Sequence, residues 1–163
     1  MTNITIIDTG CANLSTVKFA FDRLGYNTEI TFDLNKIKSA DKLILPGVGT
    51  ANAAMYNLQE RQLIETIQNL TQPVLGICLG MQLMTEFSEE GNVPTLNLIS
   101  GKTNRIPDTG LPLPQMGWNR VQFVKNCPLF DGIVQNSHFY FVHSYAVSPN
   151  EHSVAISNYG VNF

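Results

Sequence analysis

Charge is the first thing this sequence is short of. Asp, Glu, Lys and Arg make up 14% of its 163 residues, against ~25% in soluble domains generally, and a surface so poor in charge is expected to be covered in part by another protein. What charge there is sums to −3 and contains no run of Lys or Arg, so no basic footprint exists for nucleic acid or an acidic membrane surface. Long apolar runs are missing too: no cationic segment precedes an apolar stretch at MTNITIID, and nothing approaches the ~18 consecutive apolar residues of a membrane span. A cytoplasmic protein with no nucleic-acid or membrane partner is expected. Cysteine is sparse, and Cys11, Cys78 and Cys127 lie far apart without C-x-x-C spacing. Neither a disulfide framework nor a metal site is favoured, and no cofactor is called for.

What is present is an alternation of short apolar runs with helical patterns. Ile4 to Ile7, Leu43 to Leu45 and Val74 to Ile77 are each followed by glycine-containing turn chemistry and then by a helical pattern. Runs without polar alternation fit strands buried on both faces, as in a parallel sheet covered by helices. The fold class expected is α/β, three-layer and doubly wound, in one domain spanning residues 1–163. The first helix is marked by Asn13 as N-cap, by Leu14, Val17, Phe21 and Leu24 on one face, and by Gly25 as its stop. Between Thr50 and Leu70 the apolar positions slip phase near Arg61, predicting a kinked helix or two short ones. After Glu90 the texture turns to Gly, Pro, Asn and Thr with strand-like pieces around 104–106, 118–124, 139–147 and 153–157, an antiparallel edge portion of the sheet.

One stretch carries chemistry. PVLGICLGMQLM, residues 73–84, joins a strand to a helix through Gly76-Ile77-Cys78-Leu79-Gly80, the form of a nucleophile elbow in which G-x-S-x-G carries serine elsewhere. The nucleophile sits on a strained strand-to-helix turn, so the residues two before and two after it must be small. A thiol at a helix N-terminus also gains from the positive end of the dipole. The competing reading is a buried cysteine in a tight turn. An elbow needs donors for the oxyanion that forms when a carbonyl is attacked; the amide of Leu79 and the Gly47-Val48-Gly49 loop after the neighbouring strand are the candidates.

DTGCANL at 8–14, LPGVGT at 45–50, GICLGMQL at 76–83, PQMGWN at 114–119 and FYFVHSY at 139–145 together resemble the glutaminase subunits of imidazole glycerol phosphate synthases, class-I glutamine amidotransferases of histidine biosynthesis. The resemblance runs through essentially the whole chain in order. It implies that Cys78 attacks the carboxamide of L-glutamine, and that Gly47, Val48 and Leu79 serve the oxyanion. It further implies that Gly49, Gln82, His143, Ser144 and Tyr145 wall the glutamine pocket. Asn13, Met116, Trp118 and Asn119 are implied to lie near the docking face of a cyclase subunit, which forms a heterodimer with the glutaminase and receives the ammonia. Bland readings stand beside these: Gln82 as a solvated helix residue, Trp118 as core, Phe139, Phe141 and Tyr145 as strand packing, Cys11 and Cys127 as inert.

The family's cysteine is served by histidine and glutamate of an H-P-E segment. That segment is absent here: His138, His143 and His152 are the only histidines, and none is followed by Pro-Glu. The expectation is a chain truncated before its base, strongly impaired as a glutaminase by itself, with a docking or regulatory fragment as the alternative. His143 is the best local substitute for the base, although a wall or core role fits it better.

Overall fold

The computed structural model describes residues 2–10 and 13–163; the packing role expected of Cys11 lies outside the described residues. The chain forms two compact units, Met1–Ser100 and Gly101–Phe163.

The first unit alternates strands and helices: β1 (Ile4–Ile7), α1 (Leu14–Arg23), β2 (Thr28–Thr31), α2 (Leu34–Ser39), β3 (Lys42–Gly47), α3 (Ala51–Glu60), α4 (Ile64–Gln68), β4 (Val74–Cys78), α5 (Leu79–Leu83), then the short β5 (Phe87–Ser88) and β6 (Val93–Pro94). Strands β1 to β4 make a parallel sheet in the order β2-β1-β3-β4. Alternation within each strand sends residues to opposite faces. Ile4, Ile6 and Ile44 pack with Leu14, Val17 and Phe21 of α1. Ile7, Leu43 and Leu45 on the other face pack with Ile37, Leu58, Ile67, Leu79 and Leu83 of the remaining helices. Helices therefore cover both faces, giving the three-layer arrangement expected. Each such Leu or Ile withdrawn fully from water contributes ~1.5–3 kcal/mol.

Local signals explain the helix ends. Gly25, at φ 80°, donates its N–H to Asp22 O while Tyr26 donates to Phe21 O, both at 3.0 Å, a Schellman stop that only a residue tolerant of positive φ completes readily. Asp33 caps α2 by accepting from Asn35 and Lys36 N–H. The phase slip near Arg61 resolves as two helices, α3 and α4, with Gln62 at φ 56° between them.

Three expectations need correction, and one strand went unread. Leu24 is 72% exposed, because the helix ends at Arg23 and the cap residue turns away from the sheet. Asn13 occupies the N-cap position in a left-handed conformation without capping the backbone; its side chain accepts instead from the Thr16 hydroxyl. Strand β4 is not buried on both faces: Leu75 and Ile77 are exposed, since among the described residues β4 pairs only with β3. Strand β2, TEIT, has too little apolar character to announce itself.

The second unit is antiparallel, as the texture of the sequence suggests. β7 (Lys102–Arg105) pairs with β11 (Tyr145–Val147), and β8 (Gln115–Arg120) pairs over its whole length with β10 (His138–His143). β9 (Gln122–Phe123) pairs with β12 (Ala155–Ile156), and β13 (Asn158–Tyr159) and β14 (Val161–Asn162) close a hairpin about Gly160.

Candidate active site

Strand β4 ends on Cys78, which has φ 54° and ψ −120°, a region that side-chain-bearing residues avoid. The chain holds this strained geometry because its neighbours leave no room for another. A Cβ on Gly80 would lie 1.8 Å from Leu45 O, and one on Gly76 would lie 2.6 Å from Met81 Cα. Both flanking glycines are thus required by close backbone approach, and the turn from β4 into α5 nests directly on the end of β3. The thiol is exposed, which removes the buried-cysteine reading.

Gly47 stands opposite Cys78 in the β3–β4 register, and a Cβ there would meet Gly80 N at 2.7 Å and Leu79 Cβ at 3.0 Å. The Gly47-Val48-Gly49 loop and the elbow are therefore neighbours at the carboxyl ends of adjacent parallel strands, where open α/β sheets bind their ligands. Val48 is exposed and Gly49, at φ 92°, lies open. Thr50 caps α3 by accepting from Ala53 N–H, and the Glu90 carboxylate accepts from Ala51 N–H at 3.0 Å, so an acidic side chain 39 residues away tethers the loop's exit. Sequence reading missed Glu90, since nothing local distinguishes it from any surface acid. Gln82 on α5 is 8% exposed and is therefore no solvated helix residue.

The second unit carries the other candidates. Phe139, Phe141 and His143 alternate with the exposed Tyr140 and Val142 along β10, the half-buried strand expected. Trp118 and Met116 on β8 are 71% and 65% exposed, which excludes a core role for the tryptophan. Trp118 meets Tyr140, its register partner, edge to face at 5.6 Å. Met116, Trp118, Tyr140 and Val142 thus form one exposed apolar face, of which sequence reading recognised the β8 half. Asn119 does not belong to it: strand alternation turns its side chain the other way, where Nδ2 donates to Asn158 O at 2.7 Å. Ser144 accepts from Ile106 N–H through its carbonyl, and Tyr145 pairs with Arg105.

His143 is half-buried. Its Nδ1 lies 2.9 Å from Tyr145 O and its Nε2 lies 2.8 Å from Gln115 Oε1; burial lowers its pKa below the ordinary 6.5, with the Tyr145 carbonyl partly opposing the shift. With both nitrogens engaged, the ring offers no site for a thiol proton. His152 is largely exposed, 3.6 Å from Glu151, and His138 is exposed at the start of β10. Among the described residues no cluster of His, Cys, Asp and Glu suits a metal. Cys127 lines an open cleft of about 390 Å³ with Phe123, Lys125, Phe130 and Asp131. Among the described residues no helix is long and apolar enough to cross a membrane.

A parallel α/β sheet with a strained, glycine-flanked cysteine at a strand's carboxyl end and a glycine loop beside it defines an elbow-type thiol enzyme. The model of the glutamine amidotransferase class-I family matches residues 5–161, and the chain belongs to that family. It is 99% identical over all 163 residues to the imidazole glycerol phosphate synthase subunit HisH of Haemophilus influenzae (strain 86-028NP), covering 82% of that protein. The corresponding HisH of Mannheimia succiniciproducens is 73% identical over 97% of this chain and 81% of its own length. A solved glutamine amidotransferase shares the fold with TM-score 0.71 at 12% identity, over 98% of this chain and 86% of its own.

Proposed function

We propose that this chain is the glutaminase subunit of an imidazole glycerol phosphate synthase, acting in histidine biosynthesis in the cytoplasm, and that its two units work as one amidotransferase domain. The observation that carries the chemistry is Cys78 at φ 54° between two glycines that neighbouring backbone forbids to be larger. The thiolate attacks the carboxamide carbon of L-glutamine, and the carbonyl electrons move to oxygen. The amide of Leu79 and the Gly47-Val48 peptides are the donors for that oxyanion, a contribution on the order of 10²–10³ in rate per donor. Collapse of the tetrahedral species breaks the C–N bond, ammonia departs with a proton, and a γ-glutamyl thioester remains on Cys78. Water then hydrolyses the thioester to glutamate and restores the thiol.

Gly49, Gln82, Ser144 and Tyr145 are assigned to the glutamine pocket. Ammonia passes to a cyclase subunit, which uses it to form imidazole glycerol phosphate and an aminoimidazole carboxamide ribotide. The apolar face of Met116, Trp118 and Tyr140 is the docking surface for that subunit, together with the turn at Asn13, and its exposure supports the partner expected from the low charge content. No histidine of residues 1–163 is assigned as the base for Cys78. The test is glutamine hydrolysis by the native protein with its partner subunit: ammonia formation abolished by Cys78→Ala is expected, and activity that survives this change would overturn the assignment. A γ-glutamyl chloroketone should alkylate Cys78 in the same complex.

A further inference from the structure

The β8–β10 ladder closes on the register pair Gln115 and His143, whose side chains meet at 2.8 Å. His143 Nδ1 faces the Tyr145 carbonyl, which only accepts, so Nδ1 carries the ring proton. In the neutral ring Nε2 is then a bare acceptor, and an amide oxygen of Gln115 at 2.8 Å would face it. Two lone pairs at that distance repel. The oxygen and nitrogen of a carboxamide exchange places by a half-turn of the amide, and that half-turn puts an N–H donor against Nε2. The other solution is an imidazolium donating to both oxygens. The surroundings oppose it: Gln115 is 3% exposed, and the ring is packed against Phe163 at 4.7 Å and Phe141 at 5.7 Å, with no carboxylate in contact.

We propose that Gln115 and His143 are a positioning pair, in which the Gln115 NH2 donates to His143 Nε2 and the His143 Nδ1–H donates to Tyr145 O, fixing the Ser144–Tyr145 turn for glutamine binding. This rests on the amidotransferase reading, which assigns that turn to the pocket. The turn is held at two successive carbonyls, Ser144 O by Ile106 N–H at 2.9 Å and Tyr145 O by His143. A buried relay that orients backbone is satisfied only if every member is paired. Gln115, on no other ground a site residue, becomes a determinant of substrate affinity, and His143 acts through it rather than as a base.

The test uses the native protein with its partner subunit. Nitrogen-15 spectra, with the His143→Gln variant assigning the resonance, should show the Nδ1–H tautomer of a neutral ring. Gln115→Glu, which presents only acceptors, should convert the ring to the doubly protonated form. Gln115→Leu should raise KM for glutamine by about tenfold while kcat stays within about threefold. Gln115→His, able to offer an N–H to Nε2, should restore KM. An Nε2–H tautomer in the unaltered protein overturns the hydrogen-bond assignment. A fall in kcat of about 10³ at constant KM in His143→Gln would make the ring the base and overturn the positioning role. A native complex without any glutaminase activity overturns the amidotransferase reading and the affinity role with it, while the tautomer still decides the orientation of Gln115.

Discussion

Gly47 and Cys78 stand opposite each other at the carboxyl ends of adjacent parallel strands, and Gly80 fits the turn between β4 and α5 only because it has no side chain. The Cβ of an alanine at Gly80 would fall 1.8 Å from Leu45 O, with Pro46 C at 3.1 Å. These are backbone atoms in a buried strand and cannot swing aside. Gly80→Ala should destabilise the protein by at least about 3 kcal/mol and abolish alkylation of Cys78; urea unfolding and chloroketone labelling check both, and a variant of unchanged stability would refute the close approach.

Strain at Cys78 should be measurable as stability. Cys78 has positive φ, and glycine adopts that conformation without the cost of about 1–3 kcal/mol that other residues bear. Cys78→Gly should therefore unfold at higher urea than the unaltered protein while losing all reactivity towards glutamine. Cys78→Ala, which keeps the strain, should gain little.

Removing the Glu90 carboxylate should free the exit of the Gly47-Val48-Gly49 loop. Its contact with Ala51 N–H supports the start of α3, and such contacts contribute about 0.5–2 kcal/mol. Glu90→Ala is expected to lower stability by that amount and to reduce kcat more than it raises KM, read from glutaminase kinetics of the native complex.

The lowered pKa of His143 makes a pH-dependent contribution to folding. Unfolded, the ring takes up a proton as pH falls past its ordinary value of 6.5; folded, burial delays that uptake to lower pH. The contribution is complete above the unfolded pKa and is lost as pH falls towards the folded one. Urea midpoints measured between about pH 7.5 and about pH 5.5 should fall less steeply in His143→Gln than in the unaltered protein.

Thr28 in β2 is 4% exposed, and its hydroxyl has no hydrogen-bond partner among the described residues. Thr28→Val keeps the shape and removes the unsatisfied group, so stability should rise by about 1 kcal/mol. A loss on thermal or urea unfolding would mean that the hydroxyl is satisfied.

The parts that could be read ahead of the structure were those set by near neighbours in the chain. Glycines at 76 and 80 around Cys78 announce an elbow because the motif is contiguous, although only the demand at Gly76 is local, its Cβ meeting Met81 Cα, whereas Gly80 is confined by Leu45 O. Gly25 announces a stop because the left-handed turn is a property of that one position. Leu24 misled because periodicity does not tell where a helix ends by a single residue. The exposure of Leu75 and Ile77 was hidden because an apolar run reads the same whether its strand has one neighbour or two. The resemblance placed Asn119 with Trp118, and only the pleat shows that their side chains leave β8 on opposite faces.

The order of residues by itself determined that Cys78 sits in a glycine-flanked strand-to-helix turn, that a parallel α/β unit precedes an antiparallel one, and which family the motifs belong to; each follows from short contiguous patterns. Only the tertiary structure decided that Gly47 faces Cys78, that Glu90 reaches Ala51 and that Gln115 occupies His143, because these contacts join groups 28 to 39 residues apart. Such pairings depend on strand register and on the closing of the chain over itself, and no short window of sequence contains both partners.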